Sequence, residues 1–426
     1  MMFATSESRK TARRVFVAVA LVSFASAAHA QQQASAGPPT PAPVAAPEKP
    51  SNNYWVYVGA ESADLIQRLR FGPNGLVIER TIPIGELPTE MEGPHGLAIS
   101  RDGKFLFMTT GHGFPDGKYW KYELGPDTLV GQGLLLGNFP ATIDVTPDGL
   151  YTYSANFNLH GDMVPSSVSV VYTPEGVEVG HIVTCTMPHG SRISPDGLFQ
   201  YSGCMMDDQL VEIDTRAMKV SRRFSLAKGK EGPLAADGGD MLAMWIDGAK
   251  KVSKGVTADP AQVGYNAMGG MKHDMTPSTC SPTWAQPSVD NRKVYVACNK
   301  ANEVLEIDRG TWTVTRRLAT GRGPYNLAVT PDGRLLLATL KPAASFEVFD
   351  LATGKSLGQF KNSTNVANGI TVSPDSRYAF VSSEGAGAAP GKVDVYDLKA
   401  LAKVGSVDVG QQAGGIAFWK MQPAAR

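Results

Sequence analysis

Turns of the Pro-Asp-Gly type recur at a period in the forties between short β-rich runs. Glycine and proline are plentiful (45 and 29 residues), and the two ends of the chain carry complementary fragments of the same repeat. These three observations predict an all-β fold, a seven-bladed β-propeller closed by a C-terminal strand that joins the N-terminal blade.

The repeat opens with GLAISRDGKFLFMT, TIDVTPDGLYTYSAN, GSRISPDGLFQYSGC, TWAQPSVDNRKVYVAC, NLAVTPDGRLLLATL and GITVSPDSRYAFVSS. The turn aspartates Asp102, Asp148, Asp196, Asp290, Asp332 and Asp375 are 46, 48, 94, 42 and 43 residues apart. Pro presets φ, Asp bonds its own backbone and Gly tolerates positive φ, so the motif suits a tight hairpin turn. Third strands follow at LVEID, VLEID, FEVFD and VDVYD, and fourth strands at VSRRFS, VTRRLA, SLGQFK and KVGSVDV. The first segment (YWVYVG, LIQRLRFG, LVIERTIPI) lacks an opening strand, and the last, Gly415 to Trp419, supplies one. Sharing that blade removes open sheet edges. The 94-residue gap reads as an insertion over 229–279, rich in Gly-Pro and Gly-Gly and without a turn motif. A degenerate eighth blade near Met241–Asp247 is the alternative.

Outside the repeats, residues 1–30 read as a signal peptide: Arg9, Lys10, Arg13 and Arg14 precede a short apolar run that ends in Ala28-His29-Ala30. The expectation is a periplasmic or secreted protein, exported by the Sec route in preference to the twin-arginine route that Arg13-Arg14 also suggests. Residues 31–53 are Pro/Ala/Gln-rich and read as a disordered linker, 54–420 as the propeller and 421–426 as a C-terminal tail. Without residues 1–30 the chain has 36 basic and 39 acidic residues. That balance and the lack of basic blocks argue against nucleic acid and against membrane insertion after cleavage, and leave a small molecule or a periplasmic protein as partner.

Because consecutive strands are antiparallel, alternate loops lie on opposite faces. The Pro-Asp-Gly turns take one face, and the second-to-third-strand loops and inter-blade loops take the other, here called the mouth. His95 and His189 sit at matching starts of first strands, in a ring continued by Ala141, Thr283, Tyr325, Asn368 and Gly414. His95, His189, Tyr325 and Asn368 are therefore the candidate ligand-binding residues of the channel mouth. His112 and His160 fall in mouth loops and His273 in the insertion, whereas His181 falls within a strand. Met187, Met205 and Met206 also map to the mouth, and the insertion reads Met268-Gly-Gly-Met271-Lys-His273-Asp-Met275. Thioether and imidazole together form a soft donor set, which favours copper(I). The candidate metal ligands are His95, His112, His189, His273, Met268, Met271 and Met275. The plainer reading is that methionines fill gaps and loop histidines are solvated. Cys185, Cys204, Cys280 and Cys298 are candidates for two disulfides, with Cys185–Cys204 plus Cys280–Cys298 read as within-blade pairs and Cys204–Cys280 an alternative. Asp144 and Arg192 occupy equivalent positions in adjacent first strands and are expected to form a buried ion pair.

The repeats resemble the YVTN family of bacterial β-propellers, over residues 54–420. The resemblance implies the disc architecture and relatives of several kinds: lactonase-like proteins, haem d1-type propellers and copper-containing oxidases. A fold of this kind does not fix its function. No Gly-x-Ser-x-Gly, His-Glu-x-x-His, P-loop or Cys-x-x-Cys-His motif occurs. The expectation is thus an exported binding or scaffold propeller whose mouth holds a small ligand, a soft metal ion or a partner protein. The alternatives are an enzyme on the same face, a copper-dependent oxidase or a lactonase-type hydrolase, and a partner in electron transfer or cofactor maturation.

Overall fold

In a computed structural model, the described residues are 46–86, 90–112, 117–236 and 277–424. They form antiparallel sheets joined by turns, with two short 3-10 turns, Glu61–Ala63 and Lys341–Ala343, and among the described residues no α-helix. The architecture is all-β and propeller-like.

Five sheets are of blade size. One begins at Pro94–Ile99 and passes outward through Phe105–Thr110 and Lys118–Glu123, on which both Thr128–Leu129 and Leu134–Leu135 pair. The next runs outward from Pro140–Val145 to Val177–Thr186. Two more begin at Pro324–Val329 and at Ala367–Val372. The fifth takes its inner strand, Ala413–Pro423, from the C-terminus and its other three strands from Asn52–Ala60, Leu65–Gly72 and Gly75–Pro83. Pairing of the two chain ends therefore closes the sheet edge there. It also reaches further than the sequence pattern indicated. Asn52 and Asn53 pair with Pro423 and Gln422, so Asn52–Ala60 starts inside the expected 31–53 linker and Ala413–Pro423 ends inside the expected 421–426 tail. Backbone ladders need no large apolar side chains, and the composition of those ends therefore misled.

The sixth sheet has nine strands. It combines the four-strand sets that begin at Pro188–Ile193 and at Pro282–Pro287, with Gly232–Leu234 added at one edge. The expectation of separate four-stranded blades all round is corrected here. The two inner strands meet in parallel through a single residue pair, Gly190 with Trp284. The cause is local: a Cβ on Gly190 would lie 2.2 Å from the Thr283 carbonyl oxygen and 2.6 Å from Trp284 Cα. Only glycine permits that approach. Gly232–Leu234 also shows that the expected 229–279 insertion begins with a short strand. The candidate eighth blade near Met241–Asp247 lies outside the described residues.

Inner strands pack on one another around the axis in chain order, and Ala413–Pro423 packs against both Ala367–Val372 and Pro94–Ile99, which completes the circuit. The cores lie between neighbouring sheets. One unites Tyr54, Phe71, Tyr378 and Phe380 from two sheets, with Tyr54 and Phe71 each set edge-on to Tyr378 at 5.0 Å. On the face opposite the mouth the turns share one device. A Ser or Thr hydroxyl two residues earlier donates to the turn aspartate, as Ser100 to Asp102 (2.7 Å), Ser288 to Asp290 (2.6 Å) and Thr330 to Asp332 (2.6 Å), and the carboxylate also takes a backbone N–H two residues on.

Candidate functional site

Two sets of residues converge at the mouth. The first is the second residue of the inner strands, which carries His95, His189, Tyr325 and Asn368. The second is the residue directly after the second strands, which carries Glu61, Phe157, Lys341 and Glu384. The ring expected from sequence contained only the first set.

Glu61 is the centre of one half. It is 2% exposed. The His112 Nε2–H group donates to its Oε2 at 3.2 Å and Gln412 Nε2 donates to the same oxygen at 3.1 Å, while His95 Nε2 lies 3.9 Å from Oε1. Burial would raise the Glu61 carboxyl. The charges of His95, His112 and Lys341 outweigh it and hold the group below the usual carboxylate range. His95 donates from Nδ1 to the Ala141 carbonyl at 2.5 Å, which orients Nε2 toward Glu61.

His189 and Tyr325 form the other half. His189 is 3% exposed and donates from Nδ1 to the Thr283 carbonyl at 2.9 Å. Its Nε2 is then a lone pair, 3.1 Å from the Tyr325 hydroxyl, so the phenol donates. Burial, aided by the nearby His95 charge, pushes His189 down to about 3, and the ring is neutral at ordinary pH. The Lys341 ammonium stands 4.4 Å from the Tyr325 ring centre and pairs with Glu384 Oε1 at 2.8 Å. Burial opposes the charge on Lys341, but Tyr325, Glu384 and Glu61 together keep its pKa above the ordinary lysine value. Asn368 donates from Nδ2 to the same Glu384 oxygen at 2.7 Å.

Aromatic faces bridge the halves. The His95 and His189 rings are 6.1 Å apart, with Phe139 5.1 Å from His95 and Phe157 4.8 Å from His189. His112 lies 4.9 Å from Phe139 and 5.9 Å from the exposed His160. His181 is apart from this group, paired with Glu178 at 3.0 Å.

Of the candidate metal donors, His189 commits both ring nitrogens to protein partners, His95 its Nδ1 and His112 its Nε2. Among the described residues no group of three His, Cys, Asp or Glu side chains is placed to hold a metal ion. His273, Met268, Met271 and Met275 lie outside the described residues. Met187 packs in an apolar cluster with Phe139, Ala141 and Phe157, flanked by Met205, while Met206 is exposed.

Cys185 is bonded to Cys204 and Cys280 to Cys298. The second bond lies within one four-strand set. The first does not, because Cys185 belongs to the outermost strand, Val177–Thr186, of the preceding sheet. It is a cross-link between sheets. Asp208, close by, gathers the segment that follows the insertion: it accepts from the Thr279 hydroxyl (2.8 Å) and the Ser281 N–H (2.7 Å).

Asp144 and Arg192 share no side-chain hydrogen bond. Burial opposes the charge on each, but their opposite charges act on each other, each favouring the charged form of the other. The Asp144 carboxylate accepts backbone N–H groups of Val145 (2.9 Å) and Ile193 (2.8 Å). Arg192 donates to the Ser191 carbonyl (2.9 Å) and lies 4.5 Å over the Trp284 ring.

Glu61, Lys341 and Glu384 were missed because each follows a second strand in a repeat of different local sequence. Aligning the residue after each second strand brings them out.

No family model matches the chain, and no curated protein matches it. Solved structures do. A periplasmic gluconolactonase of Pseudomonas aeruginosa superposes with a TM-score of 0.60 at 18% identity, covering 86% of this chain and 99% of that one. A functionally unknown protein of Desulfotomaculum acetoxidans gives 0.59 at 15%, covering 85% and 98%. The hydrazine synthase of Kuenenia stuttgartiensis gives 0.55 at 17%, covering 78% and 92%. At these identities the likeness concerns the fold alone.

Proposed function

We propose that this chain is an exported propeller of the YVTN type whose mouth binds a small, polyhydroxylated organic molecule. The observation that carries the reading is the buried Glu61 carboxylate, set against His95, His112 and Lys341 at the channel entrance. Burying charge is costly, and the sheets do not need it at their axis. Such groups in a concavity are characteristic of ligand sites. The carboxylate and imidazoles supply acceptors and donors for hydroxyl groups, and Phe139, Phe157 and Tyr325 supply faces for C–H surfaces. The nine-stranded sheet is read as two blades joined at the Gly190–Trp284 pair, which makes seven in all. The leader-like N-terminus and two disulfides, at home in an oxidising compartment, support export.

A second reading is hydrolysis of a lactone at the same place. It rests on the Tyr325–His189 pair, which can pass a proton, and on the gluconolactonase among the propellers of similar fold. Calorimetric titration with gluconate and related aldonates, beside a pH-stat assay with their lactones, tests both. Saturable aldonate binding lost in Glu61→Gln supports the binding site. Lactone turnover lost in Tyr325→Phe assigns the enzyme. Neither binding nor turnover with wild-type protein refutes both.

A further inference from the structure

Against the mouth ring lies a partly open cavity with about 30 Å³ of space for water-sized occupants, lined in part by His95, Tyr325 and Asn368. Its wall also includes Arg192, Trp284 and Asn326. Two buried polar atoms of that wall have no partner in the protein, the indole Nε1 of Trp284 and the Oδ1 of Asn326. Both residues are 5% exposed. A buried polar group left unsatisfied costs about 1–3 kcal/mol, so two around one small cavity point to an occupant.

The charge of the wall indicates which kind. Arg192 gives a single N–H, from Nη1, to the Ser191 carbonyl, and no other acceptor for it is present among the described residues. Asp144 acts on Arg192 through its charge, but its oxygens accept the N–H groups of Val145 and Ile193 and no hydrogen bond joins the two side chains. The guanidinium lies over the ring whose Nε1–H is unsatisfied, which brings a cation and a neutral donor to the same space. The Asn326 carboxamide can turn either end inward.

We propose that this cavity binds a small anion, of halide or carboxylate-head size, through the Arg192 guanidinium and the Trp284 Nε1–H, with the Asn326 amide as a third donor. The cavity has room for about two water-sized occupants, one water needing about 10–15 Å³ of such space, which suits a halide or the head of a carboxylate. Two sources share this chemistry: a free halide, and the carboxylate of a larger molecule whose body rests at the mouth. The inference stands whether or not the mouth binds a polyol.

Thermal unfolding at constant ionic strength, with bromide or acetate replacing fluoride, tests it together with anomalous diffraction from crystals soaked in bromide. The expected result is a saturable stabilisation by at least one of the two anions. Trp284→Phe, which keeps an aromatic face under Arg192 and removes the N–H, weakens it about tenfold or more, the loss of one charge-assisted hydrogen bond. Asn326→Asp, which adds a negative charge, abolishes it. Stabilisation by bromide with an anomalous peak beside Trp284 identifies a free halide, and stabilisation by acetate alone identifies a carboxylate head. No saturable effect of either anion on the wild-type protein overturns the proposal, as does a Trp284→Phe variant that responds like wild type.

Discussion

Tyr325 and His189 are joined by a hydrogen bond of 3.1 Å in which the phenol donates, because the other ring nitrogen of His189 is committed to the Thr283 carbonyl. The imidazole is buried and pushed down to about 3. An unfolded chain binds a proton there near pH 6.5, so between that value and about pH 3 the unfolded state holds more protons than the folded one. Stability therefore falls as the pH drops below about 6.5, by roughly 3 kcal/mol from this group alone between pH 7 and pH 4. Urea unfolding across that range, compared with His189→Gln, measures it: the variant has a shallower pH dependence. An imidazole resonance assigned to His189 that titrates near pH 6.5 in the folded protein contradicts this account.

Glu61 contributes with the same sign for a different reason. Its carboxyl is held below the ordinary value by His95, His112 and Lys341 against the effect of burial, so its contribution is present above the unfolded carboxylate pKa and is lost as the pH falls through the folded one. Glu61→Gln keeps the shape and removes the charge that faces three basic groups. The expected cost is about 1–3 kcal/mol in denaturant unfolding at pH 7, with the loss shrinking toward pH 3. A cost that stays constant from pH 7 to pH 3 excludes a charge-based role.

The fold was legible because the turn motif repeats its chemistry. Asp102, Asp148 and Asp196 each bond a hydroxyl two residues before and an N–H two residues after, and such a local device leaves a local signature. His95 and His189 were legible as a pair for the same reason: each follows a Pro that opens an inner strand. What was not legible depends on distance in sequence. Glu61 meets Gln412 across 351 positions, and nothing near either residue announces the other. The Asp144–Arg192 register was legible, but not the backbone donors of Val145 and Ile193 that hold the Asp144 carboxylate. Cys185 was assigned to the wrong sheet because the strand Val177–Thr186 runs longer than the neighbouring repeats suggest.

The two disulfides close loops of 19 and 18 residues. On chain-entropy grounds each stabilises by about 3 kcal/mol. The Cys185–Cys204 bond also ties neighbouring sheets, beside the core made by Tyr153, Ile193 and Val211. Paired Cys185→Ser and Cys204→Ser substitution is expected to lower stability by about 2–4 kcal/mol and to raise protease cleavage between the sheets. The Cys280–Cys298 pair of substitutions gives a similar energetic loss, with cleavage confined to the region around its own loop. Thiol titration of the denatured, unreduced protein checks the starting point: no free thiol is expected, and four free thiols refute both bonds.

Gly190 tests the seam of the nine-stranded sheet. A methyl group there would sit 2.2 Å from the Thr283 carbonyl oxygen and 2.6 Å from Trp284 Cα, both backbone atoms that cannot rotate away. Gly190→Ala must therefore push the inner strands apart at the one residue pair that joins them, and overpacking of this kind costs about 1–3 kcal/mol or more. Gly232 is the control, because a Cβ there meets nothing within 4 Å and its φ is not positive. Gly232→Ala reduces the freedom of the unfolded chain and is expected to be neutral or to stabilise by about 0.4–1 kcal/mol. Guanidinium unfolding of the two variants separates the cases. The Trp284 ring spans the seam and lies against His189 at 6.4 Å, so Gly190→Ala also disturbs the mouth, read as a change in Trp284 fluorescence in an otherwise folded protein. Equal stability of the two variants means that the inner strands slide apart without cost and that the seam does not hold this part of the ring.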